Sequence, residues 1–172
     1  MAKTEERFTE KIMELKKSGL PMNELFGNVA SITCVLSSAD LLDILIEDIA
    51  ALKSLSPKAE IKMISETPID GFLIAAAKPT EIMKVPPQKD KADLSLFLQR
   101  LKKMNTDIIY CRSAESSPII LKCLENLNAS LAVFFGVPPK KAVMKCKVLR
   151  IEDEASTLKN VMPFVLFANK KR

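Results

Sequence analysis

The residues best able to do chemistry lie in one run, Ile109-Tyr110-Cys111-Arg112-Ser113-Ala114-Glu115-Ser116-Ser117-Pro118. An apolar strand ends in a thiol, a polar loop follows, and a helix opens at Ser117-Pro118. In α/β sheets, ligands bind where strands end and helices begin. The free N–H groups of a helix's first turn and the positive end of its dipole gather there, which suits an anion. Arg112, Ser113, Ser116 and Ser117 would add donors. The same field would lower the pKa of Cys111 and raise its thiolate fraction. A plainer reading uses the same residues: Ser117 as an N-cap, Pro118 as the first helical residue and Cys111 as a core thiol.

A second stretch echoes the first. Ile32-Thr33-Cys34-Val35-Leu36 leads into Ser37-Ser38 and an apolar helix. If the two strands are parallel neighbours, both serine-bearing helix starts face one crevice, a pocket for an anion or nucleotide. The Cys111 segment also resembles the active-site loop of rhodanese-like sulfurtransferases, which reads roughly Cys-Arg-x-Gly-x-Arg-Ser after a strand. Cys111, Arg112 and Ser117 match it. Ala114 stands where that family has glycine and Ser116 where it has its second arginine, and the family's upstream aspartate-arginine and histidine-glycine-proline features are missing. The resemblance covers about a dozen residues and implies a sulfur-accepting role for Cys111.

Composition narrows the chemistry. The 172 residues include no His, which removes Ser-His-Asp and Cys-His catalysis. Four glycines cannot build a Gly-x-Gly-x-x-Gly or Walker loop, so the familiar dinucleotide and P-loop sites are excluded and no cofactor is expected. The four cysteines, at 34, 111, 123 and 146, include no Cys-x-x-Cys pair, so no metal site is expected and reduced core thiols are. No apolar run reaches the roughly 18 residues of a membrane span, and the charged N-terminus lacks a signal-peptide core. The reading is a cytoplasmic protein that does not enter the membrane.

The elements that must position these residues follow from hydrophobic periodicity. Residues 4–17 predict a helix with Phe8, Ile12 and Leu15 on one side, part of an N-terminal extension over 1–27 that could cap the core or hold a second copy. Ser31–Leu36 predicts a buried strand, and Ser37 or Ser38 then caps a helix over Ala39–Leu52. Glu60–Ile64 and Phe72–Ala77 predict strands, and Lys78–Lys89, with three prolines, predicts a surface loop. Asp90 caps a helix through Met104, whose stripe includes Leu94, Phe97 and Leu101. Asp107–Cys111 predicts a strand, Ser117–Leu127 a helix and Ser130–Phe135 another strand. Strands over Ala142–Ile151 and Pro163–Ala168 then pair antiparallel at one edge.

The fold expectation is therefore α/β: a single three-layer Rossmann-like domain over 1–172, its mixed sheet mostly parallel with an antiparallel C-terminal edge. Residues 138–172 hold nine Lys or Arg against three acids, so the chain's net charge of +5 arises there. That basic strand pair and tail raise nonspecific nucleic-acid binding as a third reading. The leading expectation is a binding or assembly module rather than an enzyme, with an anionic small molecule at Cys111–Ser117 and a homo-oligomer through the N-terminal helix. The alternative is a Cys111-dependent sulfurtransferase or redox protein.

Overall fold

A computed structural model describes residues 29–114, 117–135 and 157–158, together with the backbone of 147–151. The expected N-terminal helix, the Pro163–Ala168 strand, Cys146, Ser116 and the basic tail lie outside the described residues. Ten elements follow in chain order: β1 (Ser31–Leu36), α1 (Leu42–Leu55), β2 (Glu60–Ser65), α2 (Gly71–Ala77), β3 (Glu81–Lys84), α3 (Lys91–Lys103), β4 (Asn105–Cys111), α4 (Pro118–Asn126), β5 (Asn128–Phe135) and β6 (Lys147–Ile151).

The six strands form one sheet in the order β3-β2-β1-β4-β5-β6, and every neighbouring pair is parallel. This is the strand order of doubly wound dinucleotide-binding sheets. The expected antiparallel C-terminal edge is corrected: β6 runs parallel to β5, with Leu131 opposite Lys147 and Phe135 opposite Ile151. The alternation of Met144, Cys146 and Val148 with lysines marks a strand, but alternation is the same in either direction, and only the path between strands sets the hand of pairing.

Two further expectations change. Residues Phe72–Ala77 belong to a helix, α2, rather than a strand. A short apolar run fits either state. Here the carboxylate of Asp70 accepts from the Phe72 amide at 2.8 Å and caps the first turn, and three alanines favour helix. The α2 end is closed by Lys78 in the left-handed region, φ 47°, with its N–H on the Ile74 carbonyl. Second, the loop over 78–89 contains a strand, β3, whose short sequence Glu-Ile-Met-Lys is flanked by prolines.

Side chains on β1 and β4 alternate between two cores, as the pleat requires. Ile32, Cys34, Leu36, Ile108 and Tyr110 join α1, α2 and Leu158 on one face. Val35, Ile109 and Cys111 join α3 and α4 on the other. Helices thus cover both faces of the sheet. Among the described residues, no helix is long and apolar enough to cross a membrane.

Candidate functional site

At the carboxyl edge of the sheet, the centre is formed by the chain that follows β1 (37–41), β2 (66–70) and β4 (from 112). The chain runs from β1 outward to β2 and β3, then returns to β4 on the other side of β1. The reversal leaves β1 and β4 as parallel neighbours, with Val35 opposite Cys111. The condition for a shared crevice is met by the backbone, and the side chains decide what the crevice holds.

The two cysteines do not share it. Cys34 pairs in register with Tyr110 and enters the α1 core, while Cys111, one position on, enters the α4 core. Both have zero exposure. Burial, with a smaller push from the negative charge of Asp40, raises the Cys111 thiol above its ordinary value. Burial and the Asp48 charge push Cys34 up to about 12. The expected lowering of the Cys111 pKa by loop and helix is therefore corrected: desolvation of the thiolate outweighs it. Cys123, on α4 in the same core as Cys111, is likewise pushed up to about 12 by burial and the Glu66 charge.

Arg112 turns inward. Its Nη1 donates to Asp48 Oδ2 at 2.9 Å, and its guanidinium carbon lies 3.8 Å from the centroid of the Phe135 ring. The same carboxylate accepts from the Tyr110 hydroxyl and, at 2.8 Å, from the Leu158 amide. The Tyr110 ring meets Phe135 edge-on. Asp48 and Tyr110 have zero exposure and Arg112 has 9%. Burial raises the Asp48 carboxyl above its usual range, against the lowering by Tyr110, Leu158 and Arg112. A buried carboxylate needs such partners, and α1, β4 and the segment at Leu158 are tied together by supplying them. The sequence points to Arg112 but gives no sign of Asp48, which sits among the polar positions of the α1 pattern. Its spacing, three residues after Leu45 and four before Leu52, puts it on the buried side of the helix, but a stripe of apolar residues masks that.

Ser113 and Ser117 of the β4 loop also have carboxylate partners. Ser113 donates to Asp40 Oδ1, which joins the β4 loop to the β1 loop. Ser117 donates to Glu66 at the tip of β2 and accepts from the Ile119 amide, so it caps α4 as expected. Pro118 follows at the first helical position.

The β1 loop differs. Ser37 and Ser38 do not cap the helix: α1 starts at Leu42, its N-cap is Leu41, and no side chain caps it. The loop folds on itself instead. The Ser37 amide donates to Asp40 Oδ2 at 2.8 Å, and the Ala39 amide donates to Ser37 Oγ at 3.2 Å. Burial raises the Asp40 carboxyl, against hydrogen bonds from Ser113 and Ser37 and the charge of Arg112.

Beside this loop lies a shallow cavity of about 140 Å³ between the ends of β1 and β2. Its polar lining is Ser37, Ser38, Asp40, Ser65, Thr67 and Asp70, and Leu36, Leu45 and Leu73 supply apolar wall. Among the described residues, no Lys or Arg lines it. Leu41 and Phe72, each next in sequence to lining residues, are 65% and 76% exposed. Sequence reasoning reaches Ser37 and Ser38 but misses Asp40, which falls within the helix expected over Ala39–Leu52, and Thr67 and Asp70, because Thr67-Pro68-Ile69-Asp70-Gly71 reads in sequence only as a turn.

Among the described residues, no group of three His, Cys, Asp or Glu side chains is placed to hold a metal ion. No protein-family model matches the chain, and no curated protein matches it in sequence.

Proposed function

We propose that this protein is a small-molecule-binding module, without catalytic chemistry of its own, that seats its ligand at the carboxyl edge of the sheet over the ends of β1 and β2. The observation that carries this reading is the cavity between the 37–41 and 66–70 loops, lined by Ser37, Ser38, Asp40, Ser65, Thr67 and Asp70. It lies on the edge where open α/β sheets bind ligands, beside the point where the strand order reverses. At about 140 Å³ it has room for one end of a ligand. Leu41 and Phe72 offer apolar surface for the remainder.

The lining favours a ligand that brings donors, hydroxyl or amine groups, over an anion. Asp40 and Asp70 are acceptors, and an ionised carboxylate has about four lone-pair sites, more than the described hydrogen bonds use. An anion would approach two carboxylates, and no Lys or Arg among the described residues lines the cavity itself, the nearby charge of Arg112 being already engaged with Asp48. At the Cys111–Ser117 loop, Ser113 and Ser117 already donate to Asp40 and Glu66. The absence of catalysis is supported by a chain without His and by thiols that burial holds protonated.

One observation favours a second reading, a phosphate-bearing ligand. Helix α1 begins without a side-chain cap, so the positive end of its dipole lies at this edge. Asp43 in its first turn opposes that field.

A thermal-shift panel separates the readings. Ribose, ethanolamine and putrescine are compared with inorganic phosphate and sulfate, on the wild type and on Asp40→Asn and Asp70→Asn. Asparagine keeps the capping geometry at position 70 while removing the charge. The expected result is a rise in Tm with at least one donor-bearing probe, weakened in both variants. A rise with phosphate or sulfate alone moves the assignment to the second reading. No rise with any probe overturns the proposal.

A further inference from the structure

We draw no further inference here: the strongest candidate, the exposed apolar side chains of Phe72 on α2 and of Ile82 on edge strand β3, carries nothing because nothing in the structure shows what covers them.

Discussion

The loops after β1 and β4 look alike as sequence and are opposite as structure. Each follows a buried strand that carries a cysteine near its end, and each holds serines ahead of an apolar helix. The described residues of the β4 loop serve the fold: Arg112 neutralises buried Asp48, Ser117 caps α4, and Ser113 reaches Asp40. The β1 loop closes a turn on its own Ser37 and Asp40, leaves α1 without a side-chain cap, and borders a cavity. A cation or hydroxyl at a strand end is therefore no sign of a ligand until the carboxylates around it are known. In the β4 loop, Asp48 of α1, Asp40 of the β1 loop and Glu66 after β2 accept from Arg112, Ser113 and Ser117.

The comparison breaks most sharply at Arg112. Replacing it with Met leaves Asp48 buried without its cation, and such losses cost about 3–5 kcal/mol. Denaturant midpoints check this. A cost below about 1 kcal/mol would put Arg112 at the surface and return it to the list of ligand residues. Ser37→Ala, on the other loop, removes the hydroxyl that accepts from the Ala39 amide and should cost about 1 kcal/mol.

Cys111 gives the next largest effect. A serine hydroxyl is costlier to bury than a thiol in these apolar surroundings, even with the Ser113 amide as a partner, so Cys111→Ser should destabilise by about 1–3 kcal/mol. Iodoacetamide, followed by peptide mass spectrometry, should modify Cys34, Cys111 and Cys123 only after denaturation. Rapid native-state labelling of Cys111 would revive the sulfurtransferase reading.

Ser117→Ala should cost about 1 kcal/mol through loss of the α4 cap. A cost near zero would mean that the Glu66 contact and the cap hold nothing together.

The smallest effect is the pH response of Asp40. Its folded pKa is raised, so between its unfolded value and that raised value the folded state binds more protons than the unfolded one. Its contribution to stability is thus fully present below the unfolded pKa and is lost as pH rises through the folded pKa. The stability of the wild type relative to Asp40→Asn should therefore improve as pH falls from neutral toward 4. A gap that does not move with pH would mean the carboxyl is solvated.

The parts legible from sequence were those fixed by local pattern. Continuous apolar runs mark β1, β4 and β5, the stripe of Leu94, Phe97 and Leu101 marks α3, and Asp90 and Ser117-Pro118 mark two helix starts. The parts that were not legible depend on contacts distant in sequence. Residues Phe72–Ala77 have no period to separate strand from helix, and β3 is four residues between prolines. The direction of β6 depends on the chain path rather than on its alternation. At the site, serines were legible as serines, but their partners were not. Asp48 lies 64 residues from Arg112, and Glu66 lies 51 from Ser117. Whether a donor is taken or open is set by that long-range pairing.

The most direct test of binding at the carboxyl edge is amide chemical-shift mapping by NMR, titrating the wild type with ribose, ethanolamine and putrescine in turn. The account predicts that the responding probe moves the amides of residues 37–42 and 67–73 while those of Cys111 and Arg112 move little. Perturbations centred on residues 111–113, or scattered with no cluster at the ends of β1 and β2, would contradict it.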